Sequence, residues 1–152
     1  MYDIPIVNPE TIISARVIVE YENQIALLRR VPEGEFAGGW ELPGGKQEPT
    51  DLTILDTAVR EAKEETGLDV DVLDFSATHV DTRLLFDGKH QGRPYQAFGV
   101  LATATCGDIV VNPTEHTEGI WIAPADALRL DLLTRASVKT LTALGALLRQ
   151  PI

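Results

Sequence analysis

From Ile12 to Glu20 the chain is rich in β-branched residues, Val17-Ile18-Val19 among them, and reads as a strand. Tyr21-Glu22-Asn23-Gln24 is a polar turn and Ile25 to Arg30 a second strand, so a hairpin is predicted. Val31 to Gly39 reads as a loop broken by glycine and proline. Trp40-Glu41-Leu42 is a short extended piece that ends where Pro43-Gly44-Gly45 turns the backbone ahead of a helix. That helix starts with Asp51 or Thr53 as N-cap and stops at Gly67, and Leu52, Leu55, Val59 and Ala62 give it an apolar stripe. Further strands are predicted at Val70 to Ala77, His79 to Phe86, Tyr95 to Ala104 and Gly119 to Ile122, with Asp87-Gly88-Lys89 as a turn. Pro124 opens a helical turn through Leu128. The last helix runs from Arg135 to Leu148 and buries Val138, Leu141, Leu144 and Leu148. There is no regular βαβ alternation and no dividing linker. The pattern predicts one α/β domain over residues 1–152, with helices packed on a mixed sheet.

Composition narrows this picture. With 152 residues, 44% of them hydrophobic, the chain holds enough apolar material for a core without staples. A single cysteine excludes an internal disulfide framework and a multi-cysteine zinc site, and Cys106 is expected as a small buried residue on a strand. No apolar run approaches the roughly 18 residues that span a membrane. Met1 to Glu10 has no leader pattern, so a cytoplasmic protein without membrane contact is expected. The net charge of −10 argues against stable nucleic-acid binding, which needs a basic surface. A homodimer through an exposed sheet is left open.

The acid is concentrated: residues 41 to 74 carry ten carboxylates against three bases. Within that stretch Glu61, Glu64 and Glu65 stand at i, i+3 and i+4, so they project from one helix face. Like charges so placed cost a helix roughly 0.2–0.5 kcal/mol per pair. A hard divalent cation would turn that repulsion into binding. Taken alone, the helix fits a solvated acidic face equally well, with Arg60 and Lys63 as local partners.

Together with the glycine pair, the pattern becomes specific. Gly45 followed by Arg60-Glu61-Ala62-Lys63-Glu64-Glu65-Thr66-Gly67-Leu68 resembles the Nudix box, Gly-x5-Glu-x7-Arg-Glu-U-x-Glu-Glu-x-Gly-U with U aliphatic. The box spans residues 44–68, and Trp40-Glu41-Leu42-Pro43-Gly44 looks like the family's entry strand. There are two departures. Asp51 occupies the first glutamate position, and eight residues rather than seven separate it from Arg60. The resemblance implies an α/β/α sandwich of mixed β-sheet flanked by helices. It further implies a pyrophosphohydrolase acting on a nucleoside diphosphate joined to another moiety, such as a nucleoside triphosphate, ADP-ribose or a nucleotide sugar. Metal-activated water would attack phosphorus, with Mg2+ as cofactor or Mn2+ in its place. Glu61, Glu64, Glu65 and the Gly44 carbonyl carry over as metal ligands. Glu61 or Glu64 carries over as proton acceptor, and Arg60 as the residue that orients a carboxylate. The family often draws a further glutamate from a later loop; Glu115 fits as ligand or base, and Glu118 is its rival. A catalytically silent nucleotide sensor on the same fold is the alternative.

Substrate contacts are less marked. Phe36 and Trp40 are candidates to stack on a base, against an ordinary core role for a tryptophan beside a strand. Lys46, Arg29, Arg30 and Arg83 are candidates to touch phosphate, Lys46 foremost because it adjoins the glycines. His116 reads as a solvated loop histidine.

Overall fold

β-Branched and aliphatic residues build a long first strand, β1 (Ile12–Tyr21), which turns tightly into β2 (Gln24–Arg30). Glu22 and Asn23 both have positive φ, 51° and 65°, the conformation whose twist matches flanking antiparallel strands. β3 (Trp40–Glu41) adds to β2, and β4 (Gly44–Lys46) adds to β1. Then come α1 (Ile54–Thr66), β5 (Val70–Val72), β6 (Thr78–Leu84), β7 (Pro94–Ala104) and β8 (His116–Ile122). The chain closes with α2 (Pro124–Ala127), α3 (Arg135–Leu144) and a 3-10 turn at Gly145–Arg149. This computed structural model describes residues 11–34, 36–73, 77–85 and 89–149. Parts of the sequence readings at the N-terminus, at residues 74–76 and at the Asp87-Gly88 turn lie outside them.

The strands form one mixed sheet in the order β3-β2-β1-β7-β5, with β4 beside β1, β6 beside β7 and β8 beside β2. β1 and β7 run parallel over nine residue pairs, and every other pairing is antiparallel. Alternate residues of β1 face opposite layers. Ala15, Val17 and Val19 pack with Ala58 and Ala62 of α1. Ile18 packs with Leu27, Ala127 of α2, and Leu141 and Leu144 of α3. The result is the expected α/β/α sandwich. No helix among the described residues is long and apolar enough to cross a membrane.

Several expectations are corrected. Leu52 precedes α1 and is 89% exposed, and Val59 is also exposed. The buried face is Thr57, Ala58, Ala62, Glu65 and Thr66. Small residues let α1 lie close to the sheet, so the side that looks less hydrophobic faces inward. The glycine pair lies within β4 and is not a turn: Gly44 pairs with Arg16 and Gly45 with Ala15. Cys106 is exposed because β7 ends at Ala104. The last α-helix stops at Leu144, where Gly145 is a poor helix former, and Val138 is exposed. β8 begins at His116, three residues earlier than the sequence suggests, and this histidine is fully buried.

Candidate functional site

α1 is fastened at both ends. Thr53 and Asp56 form a reciprocal capping box, and Gly67 caps the C-terminus at φ 73°. This sets the rotation at which Glu61, Glu64 and Glu65 meet β4. Glu65 is buried, and its Oε1 accepts the Gly44 N–H at 2.7 Å. A Cβ on Gly45 would lie 2.5 Å from Glu61 Oε1, and one on Gly44 would lie 2.0 Å from the Ala15 carbonyl oxygen. The two glycines are therefore required by close approach: Gly45 because β4 comes this near to Glu61, and Gly44 because it comes this near to the backbone of β1.

Arg60 organises the start of the helix. Its guanidinium donates to Asp51 from Nε and Nη2, at 3.1 Å (Oδ1) and 2.8 Å (Oδ2). Nη2 also reaches the Lys46 carbonyl at 2.9 Å. Nη1 donates to Glu61 Oε1 at 3.0 Å and Glu64 Oε2 at 3.2 Å. Hydrogen bonding to Arg60 holds Asp51 well below the usual carboxylate range, and the same bonds raise Arg60. Asp51 thus anchors the loop to the helix despite the shorter side chain and the longer spacer. Burial pushes Glu61 up, partly offset by Arg60. Burial pushes Glu65 to about 8, with Arg16 and the Gly44 N–H opposing the shift.

These carboxylates form one wall of a cleft of about 830 Å³ that Gly44, Gly45, Lys46 and Glu115 also line. Glu118 points elsewhere, pairing with Arg29 at 3.8 Å. Arg16 and Arg30 are on the cleft as well. Both are anchored by buried Glu41, at 3.5 Å and 3.0 Å. Glu41 Oε2 also accepts a 2.7 Å hydrogen bond from His116 Nε2. Burial alone would raise Glu41, but His116, Arg16 and Arg30 outweigh it and hold the group below its ordinary value.

The remaining sequence candidates divide. Lys46 lines the cleft and donates to His90 at 3.0 Å, and Phe36 lines it half exposed. Arg83 lies in an adjoining recess, over the Tyr95 ring. Trp40 and Arg29 are not on the cleft: the Arg29 guanidinium sits 5.5 Å from the Trp40 ring centroid, and Trp40 packs against the α3-side core. The Glu41 corner went unread in the sequence. Its signal is charge where a strand should be apolar: Arg16 inside a β-branched run, and Glu41 between Trp40 and Leu42.

The donor set suits a hard cation. Glu65 is a buried carboxylate without a full counter-charge, next to Glu61. Ligand atoms of Glu41, Glu65 and His116 also lie within 4.8 Å of one another. Glu41 is already engaged by Arg16, Arg30 and His116 Nε2, although His116 Nδ1 is buried without a partner, and this leaves the α1 carboxylates as the donors short of counter-charge.

A family model described as NUDIX domain matches residues 11–144. The chain is 31% identical over 118 residues to a CTP pyrophosphohydrolase of Escherichia coli (strain K12), covering 76% of this chain and 78% of that one. It is 31% identical over 106 residues to an RNA pyrophosphohydrolase of Erythrobacter litoralis (strain HTCC2594), covering 61% and 64%. A solved structure, the MutT NUDIX hydrolase from Burkholderia pseudomallei, superposes with a TM-score of 0.67 at 26% identity, covering 88% of this chain and 97% of that one.

Proposed function

Because the chain belongs to the NUDIX domain family, we propose that it cleaves the pyrophosphate bond of a small nucleotide, using Mg2+ held by Glu61, Glu64, Glu65, the Gly44 carbonyl and Glu115. The chain is a Nudix pyrophosphohydrolase, and nucleotides are its substrate class. The relatives named as pyrophosphohydrolases of CTP and of RNA leave the particular nucleotide open, and the negative charge of this chain favours a free nucleotide over a polymer.

The observation that carries this reading is the meeting of both charges in one cleft. Three helix carboxylates and Glu115 line it together with Arg16, Arg30 and Lys46. A divalent ion held by Glu61, Glu64, Glu65, the Gly44 carbonyl and Glu115 would supply charge neutralisation at the phosphates and a water nucleophilic at neutral pH. Arg60 keeps Glu61 and Glu64 aimed into the cleft through its Nη1. Glu64, more exposed than its neighbours, is placed to accept the proton of the attacking water. Arg16, Arg30 and Lys46 orient the phosphate oxygens and balance charge that builds as the bond breaks. Without a divalent ion the acidic wall repels phosphate, so binding and turnover depend on the metal.

The test is a Mg2+-dependent hydrolysis screen over nucleoside triphosphates, dinucleoside polyphosphates, ADP-ribose and nucleotide sugars, with products identified by mass. Glu64→Gln is expected to lose most turnover while keeping its fold. Full activity in that variant overturns the assignment of the metal helix. Thermal stabilisation by a nucleotide with no turnover of any compound would make the protein a sensor.

A further inference from the structure

Beside the cleft lies a second, smaller space of about 50 Å³, bordered by Arg16, Phe36, Arg83, Tyr95, Thr134 and Arg135, and by Glu41, whose charge Arg16, Arg30 and His116 already meet. Arg16 and Phe36 also line the cleft, so the two spaces are neighbours. Two of the bordering arginines share an unusual feature. The Nε of Arg16 and the Nε of Arg83 are buried and make no hydrogen bond. A buried donor without an acceptor is costly, and native proteins rarely leave one. Arg83 Nε comes no nearer than 3.9 Å to its closest carboxylate, Asp81. Asp81 is instead engaged by Arg135, at 3.2 Å to each oxygen, and by Lys139 at 3.4 Å.

We propose that this recess receives a carbonyl oxygen on the edge of the substrate's nucleobase, so that the enzyme favours bases carrying such an oxygen over adenine. The inference rests on the nucleotide-hydrolase reading above and specifies its substrate. Size supports an edge over a whole nucleotide: the recess holds about 50 Å³ against about 830 Å³ in the adjoining cleft, so most of the ligand stays in the cleft. The surroundings support a base over a phosphate. Arg83 lies 5.2 Å from the centroid of the Tyr95 ring, and Tyr95 is tied in turn to Ser14 by a 2.6 Å hydrogen bond. Phe36 stands half exposed at the mouth. It is held at φ 58°, a value non-glycine residues seldom adopt, and its carbonyl accepts the Gly39 N–H at 2.8 Å. Aromatic faces at the mouth and cationic donors behind them suit a planar ring with an acceptor edge. The recess borders none of the α1 carboxylates, so the phosphates can stay at the metal while the base reaches the arginines.

Inosine and adenosine triphosphates are the sharpest probes, because their purines present a carbonyl or an amino group at the same ring position. Full-length protein with Mg2+ is expected to show a kcat/KM roughly 10- to 100-fold higher for inosine triphosphate, expressed in KM. Arg83→Met should bring that ratio close to one by raising KM for inosine triphosphate alone, and Arg83→Lys should restore part of it. Equal constants for the two nucleotides in the wild type overturn the proposal. So does an Arg83→Met variant that loses the same factor on both, which would make the recess a phosphate site, or one that behaves as wild type. Calorimetric binding of the same pair separates this inference from the reading it rests on. Selective binding without hydrolysis of any nucleotide removes the enzyme reading and keeps the recess. Equal binding of the two removes the recess and leaves the enzyme reading to the hydrolysis screen.

Discussion

Glu41 and Glu65 are both carboxylates buried in the same cleft, 3% and 6% exposed, and their proton affinities move in opposite directions. Glu41 faces two guanidiniums and an imidazole supplied by the fold. Glu65 has one backbone amide and a more distant Arg16, and burial dominates it. Burial therefore does not decide what a carboxylate is for; the source of its counter-charge does. The Glu41 corner takes its counter-charge from within the protein and positions cations. The Glu65 corner is short of positive charge and is built to take it from outside.

Four experiments press on this contrast. Glu41→Gln should cost about 3–5 kcal/mol of stability, because Arg16 and Arg30 would then lack their buried anion. Urea unfolding reads the loss, and a cost near zero would mean that the corner is not self-contained. Glu65→Gln should leave metal-free stability at neutral pH unchanged or higher, while lowering Mg2+-dependent turnover by at least about 100-fold. Parallel losses of stability in both variants would erase the distinction. Glu115→Gln should slow the reaction by about 100-fold if this residue holds metal or takes a proton. An unchanged rate would remove Glu115 from the metal site and leave the role to the α1 carboxylates.

The fourth experiment is the dependence on pH. Glu65 is raised from 4.5 to about 8, so the folded protein holds a proton that the unfolded chain releases. Its contribution to stability is full below about pH 4.5 and falls away as pH climbs towards 8, at up to ~1.4 kcal/mol per unit. Glu41 is lowered, so its contribution is present above the ordinary glutamate range and fades as pH falls below it. Denaturation between pH 5 and 8.5 in EDTA should show the decline due to Glu65. Mg2+ should flatten it, and so should Glu65→Gln.

The acidic face and its glycine neighbours were legible in the sequence because both obey fixed spacings. Glu61, Glu64 and Glu65 share a helical face by arithmetic, and Gly67 stops the helix by conformation. The Glu41 corner was not legible. It joins residues of β1, β2, β3 and β8 that are up to 100 positions apart, and only strand pairing brings them together. His116 looked solvated because its neighbours are polar, yet it opens a strand and is fully buried. The apolar stripe of α1 was half right: Ala62 is buried and Leu55 packs on the core, whereas Leu52 and Val59 are exposed and Thr57, Ala58 and Thr66 complete the inner face.

Asp51 and Arg60 have a consequence for how this chain tolerates change. Their multiple hydrogen bonds close the segment between them from its two ends. What the site requires is that the two ends meet, and only Leu52, left in solvent, lies between Asp51 and the Thr53 cap. A change of length there should be better tolerated than one within α1, where it would turn Thr57 and Ala58 off the buried face, and a conservative exchange at either anchor should not be silent.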